Sequence, residues 1–352
     1  MVMEKIKNKE NIHICTLEEK PKVSILIAVY NVAPFLKDCL QSLKEQTLGN
    51  WQAICVNDGS TDESLDILKL YASEDKRIEV YANDKNRGIG YTRNIALSHA
   101  RGEYVMMLDG DDCLSSDSLQ NAVSLFESNS QIDIVLFKLR YWHSWKGGID
   151  IDFHLNNIPS IITGENAFSL CLTWKLHGLY IIRAQLHRLY PFDESAYLYS
   201  DDNTPRIHFL HARYIAKGEG VYYYRQHKDS ITHKISVRRF DYLIANYSLK
   251  QMLLNENVKT EYINTLEEHR WKNWIIHTRL FLKNYKRFCK EDKNHIIKVL
   301  SQTIRTIDYN RIPWRTKKKI GYWPIKSLTI QILMQYCYIG LHPIYVTIKK
   351  YL

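Results

Sequence analysis

The stretch Val105-Met106-Met107-Leu108-Asp109-Gly110-Asp111-Asp112 decides how this chain folds. Its apolar half is continuous, bounded by Gly102 behind and acid ahead, the pattern of a central parallel strand covered on both faces. Its acidic half places three Asp within four residues. Carboxylates this close repel one another and need a compensating cation. A hard divalent ion with oxygen ligands, Mg²⁺ or Mn²⁺, meets that need. Open α/β sheets bind ligands at the carboxyl ends of their strands, so the acids stand where a ligand is expected. The competing reading is a polar turn with Asp112 or Ser115 as the N-cap of the next helix. Eight residues do not separate the two, because motifs this short occur by chance.

Outward from this stretch, strands and helices alternate. Val23 to Tyr30 reads as a strand, and Asn31 with Pro34 opens a helix to about Gln46 whose Phe35, Leu36, Leu40 and Leu43 form one apolar stripe. Trp51 to Val56 is a second strand, ended by Asn57-Asp58-Gly59-Ser60; Ser60 or Thr61 then caps a helix to about Tyr71. Arg77 to Tyr81 is a third strand, Asn86-Arg87-Gly88 a turn, and a helix runs through Asn94 to His99. After the opening strand come a helix from Ser115 to about Glu127 and a strand from Asp133 to Phe137. This alternation over 23–137 predicts a parallel sheet with right-handed crossovers. Further on, 140–163 reads as a hairpin or loop, Gly164 to Leu172 and Arg183 to Leu189 as helices, and Gly218 to Arg225 as a Tyr-rich strand. Asp201-Asp202-Asn203-Thr204-Pro205 punctuates the chain, with Pro205 suited to the first turn of a helix to about Arg213. Residues 240–305 carry helical periodicity.

The chain has 352 residues, 45% hydrophobic and 24% charged, as expected for a globular protein with a sizeable core. Its seven Cys form no C-x-x-C pair and no zinc-like cluster, which points to a reducing cytoplasmic setting. Met1 to Lys22 is polar and mixed in charge, unlike a signal or transit peptide. There is no apolar run of about 18 residues, so no spanning helix is expected. The net charge of +10 is concentrated at the end: 311–352 holds Arg311, Arg315, Lys317, Lys318, Lys319, Lys326, Lys349 and Lys350, interleaved with aromatics, and no acid. Such segments suit an anionic membrane surface, although a packed terminal helix with a solvated basic face has the same composition. With no nucleic-acid-binding motif beside the charge, nucleic acid is not the expected partner.

Three strand ends carry polar groups: Tyr30 and Asn31, Asn57 and Asp58, and Asp109, Asp111 and Asp112; the helix after the third strand adds Arg93 and Asn94. Adjacent strand ends converge, so these groups would line one crevice. There is no G-x-G-x-x-G after the first strand and no G-x-x-x-x-G-K-[ST] loop, so dinucleotide and P-loop sites are unsupported. Asp58 can accept a hydrogen bond from a base or ribose, Asp111 can hold a metal bridging a diphosphate, and Arg93 can pair with Asp109 or a phosphate. Singly, Asp58 is also an ordinary turn residue and Arg93 an ordinary helix cation.

Residues 22–113 resemble the family 2 inverting glycosyltransferases of GT-A fold. The matching pieces are Val23 through Asn31, Val56-Asn57-Asp58-Gly59-Ser60-Thr61-Asp62, Asn86-Arg87-Gly88 followed by Arg93-Asn94, and Gly102-Glu103-Tyr104 leading to Leu108-Asp109-Gly110-Asp111-Asp112. The resemblance implies a mixed, mostly parallel sheet flanked by helices, with a C-terminal helical extension. It implies a nucleotide-sugar donor, usually a uridine one, gripped by Ala28, Tyr30, Asp58, Asn86, Arg93, Asp109 and Gly110, with Asp111 on Mn²⁺ or Mg²⁺. More weakly, it reaches residue 232. The family's Glu-Asp pair corresponds to Asp201-Asp202, with Asp where Glu is usual, which makes Asp202 the expected catalytic base and Asp201 its neighbour. Tyr222 to Thr232 resembles the segment that closes over the diphosphate, with Arg225 and Ser230 on phosphate and His227 as a further metal ligand. The implied division is a polar leader (1–21), a catalytic domain (22–235, its nucleotide-binding half 22–113 and its acceptor half 114–235), and a helical region (236–352) with the basic tail.

The expected reaction is a metal-dependent inverting sugar transfer to a glycan or polyprenyl-linked acceptor, in bacterial surface polysaccharide synthesis at the inner face of the cytoplasmic membrane. Two other classes share the features. A nucleotidyltransferase-like enzyme also binds a nucleotide with Mg²⁺, but usually shows a Gly-rich phosphate loop that Ala28–Pro34 lacks. A non-catalytic nucleotide-sugar-binding scaffold would not need both Asp111 and Asp202.

Overall fold

The computed structural model describes residues 20–144, 147–151, 155, 158–227 and 235–351. The elements in chain order are β1 (Val23–Val29), α1 (Ala33–Lys44), β2 (Trp51–Asn57), α2 (Ser64–Glu74), β3 (Ile78–Ala82), α3 (Ile89–Ser98), β4 (Tyr104–Met107), β5 (Cys113–Leu114), α4 (Ser118–Ser128), β6 (Ile132–Ser144), β7 (Gly147–Ile151), β8 (Ile161–Thr163), α5 (Gly164–Cys171), β9 (Tyr180–Arg183), α6 (Ala184–Leu189), α7 (Asn203–His211) and β10 (Tyr214–Arg225). Five more helices follow: α8 (Asp241–Asn255), α9 (Thr260–Lys283), α10 (Lys290–Thr306), α11 (Trp314–Lys317) and α12 (Leu328–Tyr351).

One sheet runs in the order β3-β2-β1-β4-β9-β6-β10-β5, with β7 on β6 and β8 on β10. β1, β2, β3 and β4 are parallel neighbours, and β6 is parallel to β10. β9 lies antiparallel between β4 and β6, so the sheet is mixed. The expected GT-A-type arrangement of a mostly parallel sheet with flanking helices is therefore what the chain forms. The helix read from Arg183 gives way to β9 at its start and keeps only Ala184–Leu189. Tyr180, Ile181 and Ile182 are buried between two strands, and so short an apolar run carries no period of its own.

Both faces of the sheet are covered. Along β1, Val23, Ile25, Ile27 and Val29 pack towards α1, α2 and α4, while Leu26 points to the opposite core, shared with α3, α5, α6 and α7. That second core also contains Leu249, Leu253, Ile263 and Leu266 of α8 and α9. A third cluster surrounds Trp271 and Trp274, whose indoles donate to Tyr322 O and Leu300 O at 2.9 Å each.

Helix starts differ from the sequence expectation in an informative way. Neither Ser60 nor Thr61 caps α2. Asp62 Oδ1 accepts from Ser64 N (3.0 Å) and Oδ2 accepts from Ala33 N (3.0 Å), so one carboxylate serves the first turns of both α2 and α1. Burial works against its charge, but the bonds from Ser64 and Ala33 outweigh it and hold Asp62 below the usual carboxylate range.

Five histidines are kept neutral by burial. His177, His187, His269 and His277 are pushed down to about 4, and His208 well below the ordinary 6.5. His208 bridges Tyr180 OH (2.6 Å) and Tyr190 O (2.7 Å). A pKa lower in the folded state means that the unfolded chain binds more protons once pH drops under the unfolded value. The stability these groups contribute is present above about pH 6.5 and is lost as pH falls towards 4, at up to about 1.4 kcal/mol per histidine per pH unit. Scanning calorimetry is expected to show the melting temperature dropping steeply over that interval, less so in His187→Leu. A flat profile would mean that the imidazoles are solvated.

Candidate active site

β1, β2, β4, β6 and β10 all end on the same edge of the sheet, and the polar groups read from the sequence gather there. Asp58 follows β2 and is buried. Its carboxylate accepts from Asn83 Nδ2 (2.7 Å), Arg87 N (2.8 Å) and Gly88 N (3.1 Å), which shapes the 83–88 turn. A carboxylate has about four acceptor positions, so roughly one is left for a ligand. Gly59, at φ +71°, lies where a Cβ would come within 2.8 Å of Asn86 N. Asn86 accepts from Gly88 N (3.1 Å) and from the Tyr197 hydroxyl. Ala28 is half-buried on β1, and Tyr30 beside it is 43% exposed at the open end of the strand.

Arg93, on α3, is 2% exposed and joins two carboxylates. Its Nη2 donates to Asp109 Oδ1 at 2.5 Å and its Nη1 to Asp201 Oδ2. Burial opposes the cation, but the charges of Asp109 and Asp201 more than offset it and raise its pKa. Next to it, Asn94 clamps the approaching loop: its amide donates to Phe192 O (2.9 Å) and accepts from Phe192 N (2.9 Å).

The acids of the opening stretch have separate surroundings. Asp109 donates its backbone N–H to the Tyr222 hydroxyl (3.1 Å). Gly110 is packed so that a Cβ would meet Val32 Cγ2 at 3.1 Å. Asp111 Oδ2 lies 2.9 Å from His227 Nε2, and the other ring nitrogen of His227 is buried with no partner among the described residues. Burial and the charge of Asp109 push the Asp111 carboxyl up, against the pull of His227. Asp112 is buried, accepts from Arg225 N (2.7 Å), and is pushed well up by burial and by Asp111 and Asp109. It caps no helix: α4 begins at Ser118, after Asp117. Among the described residues, no cluster of three or more His, Cys, Asp or Glu is arranged to hold a metal by itself.

Arg225 is turned towards protein groups. Its Nε donates to Asp111 O (2.8 Å) and its Nη2 to Asp38 Oδ2 (2.8 Å), with the guanidinium over Trp142. It thus supports the Asp111–Asp112 turn, and only Nη1 has no hydrogen bond among the described residues. Ser230 lies outside the described residues.

Asp202 holds the N-cap position of α7, yet its side chain makes no capping bond and no other hydrogen bond among the described residues. Asp201 is engaged by Arg93, so the two neighbours differ. Arg206 Nη1 donates to Asp202 O at 2.7 Å. Burial and the charge of Asp201 push the Asp202 carboxyl up to about 7. Sequence reasoning missed Asp38, Tyr197 and Tyr222. Of these only Tyr222 had a signal, since alternation along β10 puts Tyr222 and Tyr224 on one face.

The family model described as Glycosyl transferase family 2 matches residues 24–170. The Bacillus subtilis (strain 168) protein EpsH, named as a glycosyltransferase, is 31% identical over 264 residues, 72% of this chain and 73% of that protein. The poly(ribitol-phosphate) beta-glucosyltransferase of Bacillus spizizenii is 40% identical over 122 residues, 34% of this chain and 19% of that one. In fold, residues 1–349 of S. aureus TarS in complex with UDP-GlcNAc superpose with a TM-score of 0.70 at 19% identity, covering 91% of this chain and 92% of that one. The chain is a member of the family 2 glycosyltransferases.

Arg93→Met would leave Asp109 and Asp201 facing each other without their cation. The expected loss in urea unfolding is about 2–4 kcal/mol, towards the low side for a broken buried pair because Asp109 keeps 32% of its side chain exposed. Asp201→Asn added to Arg93→Met should recover part of it. An unchanged unfolding midpoint would remove the bridge as a stabilising element.

Proposed function

We propose that the chain moves a sugar from a UDP-sugar to a hydroxyl of a glycan or lipid-linked acceptor, with inversion at the anomeric carbon, in bacterial surface polysaccharide synthesis. The observation that carries this reading is the uncommitted Asp202 carboxylate, held near neutrality one residue from the Arg93-bound Asp201. A general base poised near the working pH is most effective. Asp202 accepts the acceptor hydroxyl proton as that oxygen attacks the anomeric carbon. With one base and no second carboxylate in the role of nucleophile, the displacement is single and inverts. Asp201, through Arg93, fixes the loop that presents Asp202.

On the donor side, Asp58 receives the base or ribose through its remaining acceptor position, and Asp109 lies beside the nucleoside. Ala28, Tyr30, Asn86 and Gly110 border this pocket. Asp111 and His227 fit a divalent cation, Mn²⁺ or Mg²⁺: the two touch, the second His227 nitrogen has no partner among the described residues, and repulsion from Asp109 favours added positive charge. Such a cation would supply positive charge against the leaving diphosphate. Arg225 keeps the Asp111 turn in place and can offer Nη1 to a phosphate. The basic tail faces an anionic membrane surface. In support, 311–341 holds six Arg and Lys and no acid, and Trp314 and Trp323 are 63% and 51% exposed. No helix among the described residues is long and apolar enough to cross a membrane, so the contact would be peripheral.

UDP release from a panel of UDP-sugars with Mn²⁺ tests the function; a nucleotidyltransferase would instead release pyrophosphate, and a scaffold nothing. Asp202→Asn should cut transfer by about 10²–10⁴-fold while UDP binding stays near wild type. Because Asp202 must be deprotonated to act, kcat/KM should fall as pH drops below about 7. Near-normal turnover in Asp202→Asn would assign the base elsewhere. Asp111→Ala should abolish the metal dependence of UDP binding.

A further inference from the structure

α12 is packed with its polar side inward. Gln331 and Gln335 are fully buried and donate to Trp323 O (2.7 Å) and Gly321 O (2.6 Å), while Arg279 Nε donates to Gln335 Oε1 (2.8 Å). The outward face shows Ile330, Leu333, Tyr336 and Leu341 at 50–67% exposure. Tyr336 also borders a cavity of about 550 Å³ formed with the end of α9 and the short turn after it, where Lys283, Tyr285, Lys286 and Arg287 lie. No carboxylate lines this cavity. Some other cations of the helical region are matched, Lys250 with Glu267, Lys272 with Glu268 and Arg311 with Asp308. Lys283, Lys286 and Arg287 have no side-chain partner among the described residues.

We propose that this cavity receives the phosphate headgroup of an anionic membrane lipid, while the outer face of α12 rests in the adjoining acyl boundary; this rests on the tail facing the membrane. The chemistry is complementary at both depths. Arg287 offers a planar fork and Lys283 and Lys286 point charges to phosphate oxygens, and the hydroxyls of Tyr285 and Tyr336 can donate to the same group. Tyr336 joins the cationic cavity to the apolar face, and aromatic side chains with a polar tip favour that depth. A second copy of the chain suits the surface less well. A two-fold contact centred on this cavity would oppose its cations to one another.

The test uses the full chain and sedimentation with vesicles of phosphatidylcholine, with and without phosphatidylglycerol. Lys283→Gln/Arg287→Gln alters the cavity, and Lys318→Gln/Lys319→Gln alters the tail. The cavity variant should lose roughly tenfold or more in affinity for the mixed vesicles. Its melting temperature, UDP release and binding to pure phosphatidylcholine should match wild type. If the cavity variant binds mixed vesicles as wild type does and only the tail variant weakens, the cavity has no lipid role and the tail reading stands. If wild type binds neither vesicle, both fail. Displacement of wild type from vesicles by inorganic phosphate, to an extent that matched chloride does not produce, would assign the cavity to a soluble anion. A dimer in light scattering that Leu333→Ser dissolves, without vesicle binding, would give the face to a second copy.

Discussion

The site depends on one buried cation. Arg93 reaches Asp109 at the end of a strand and Asp201 on a loop almost a hundred residues later, and both contacts come from the two terminal nitrogens of one planar group. A lysine could not hold two carboxylates in one plane in this way. Removing a guanidinium from water is costly, and two anions at hydrogen-bond distance are what make the burial tolerable. The consequence is geometric. α3 becomes a spacer between the edge where β1, β2 and β4 end and the loop carrying Asp202, and Asn94, next to Arg93, fastens that loop by its backbone at Phe192.

Around this bridge the acids are sorted by surroundings rather than by sequence. Asp62 is consumed by two helix starts, and Asp58 mostly by the 83–88 turn. Asp112 is buried against the backbone of Arg225. Asp201 neutralises Arg93. Asp111, touching His227, and Asp202, bonded to nothing among the described residues, are left for ligand chemistry. The same residue type therefore serves as cap, turn former, buried anchor and counter-ion, and in the function proposed above as cation ligand and base.

β1, β2 and β4 were legible because each is a buried, mainly apolar run stopped by Asn or Asp, and their polar ends converge wherever such strands are parallel neighbours; β3, part-buried with Glu79 inside it, was marked by the Asn86-Arg87-Gly88 turn that follows. β9 was not legible: four residues fit either period, and only the gap between β4 and β6 selects the extended form. The two-residue β5 and three-residue β8 exist only through β10. In the site, the acids and Arg93 were legible as residue types at strand ends and helix starts. Their assignments were less so, because partners come from distant segments. Asp38 on α1 looks like an ordinary surface acid until β10 brings Arg225 to it, and Arg225 then braces the Asp111 turn. That Arg93 engages Asp201 and not Asp202 was not legible, because the two lie on separate segments.

The helical region takes part in the same arrangement. Asn203, the first residue of α7, donates through one amide nitrogen to Asp193 Oδ2 (2.7 Å) and to Ala245 O on α8 (2.8 Å). Leu249 and Leu253 extend the core that contains Phe209 of α7. Behind them, the buried Glu267 is held by Lys250 (2.6 Å) and Arg270 (3.0 Å), which ties α8 to α9 by ions that are costly to expose singly. The N-terminus of α7 is thus fixed from two sides, by Arg93 through Asp201 and by α8 through Asn203. Asp202 lies between those anchors. Its carboxylate can stay free of hydrogen bonds because its backbone is held by its neighbours, and that freedom leaves it available to take a proton.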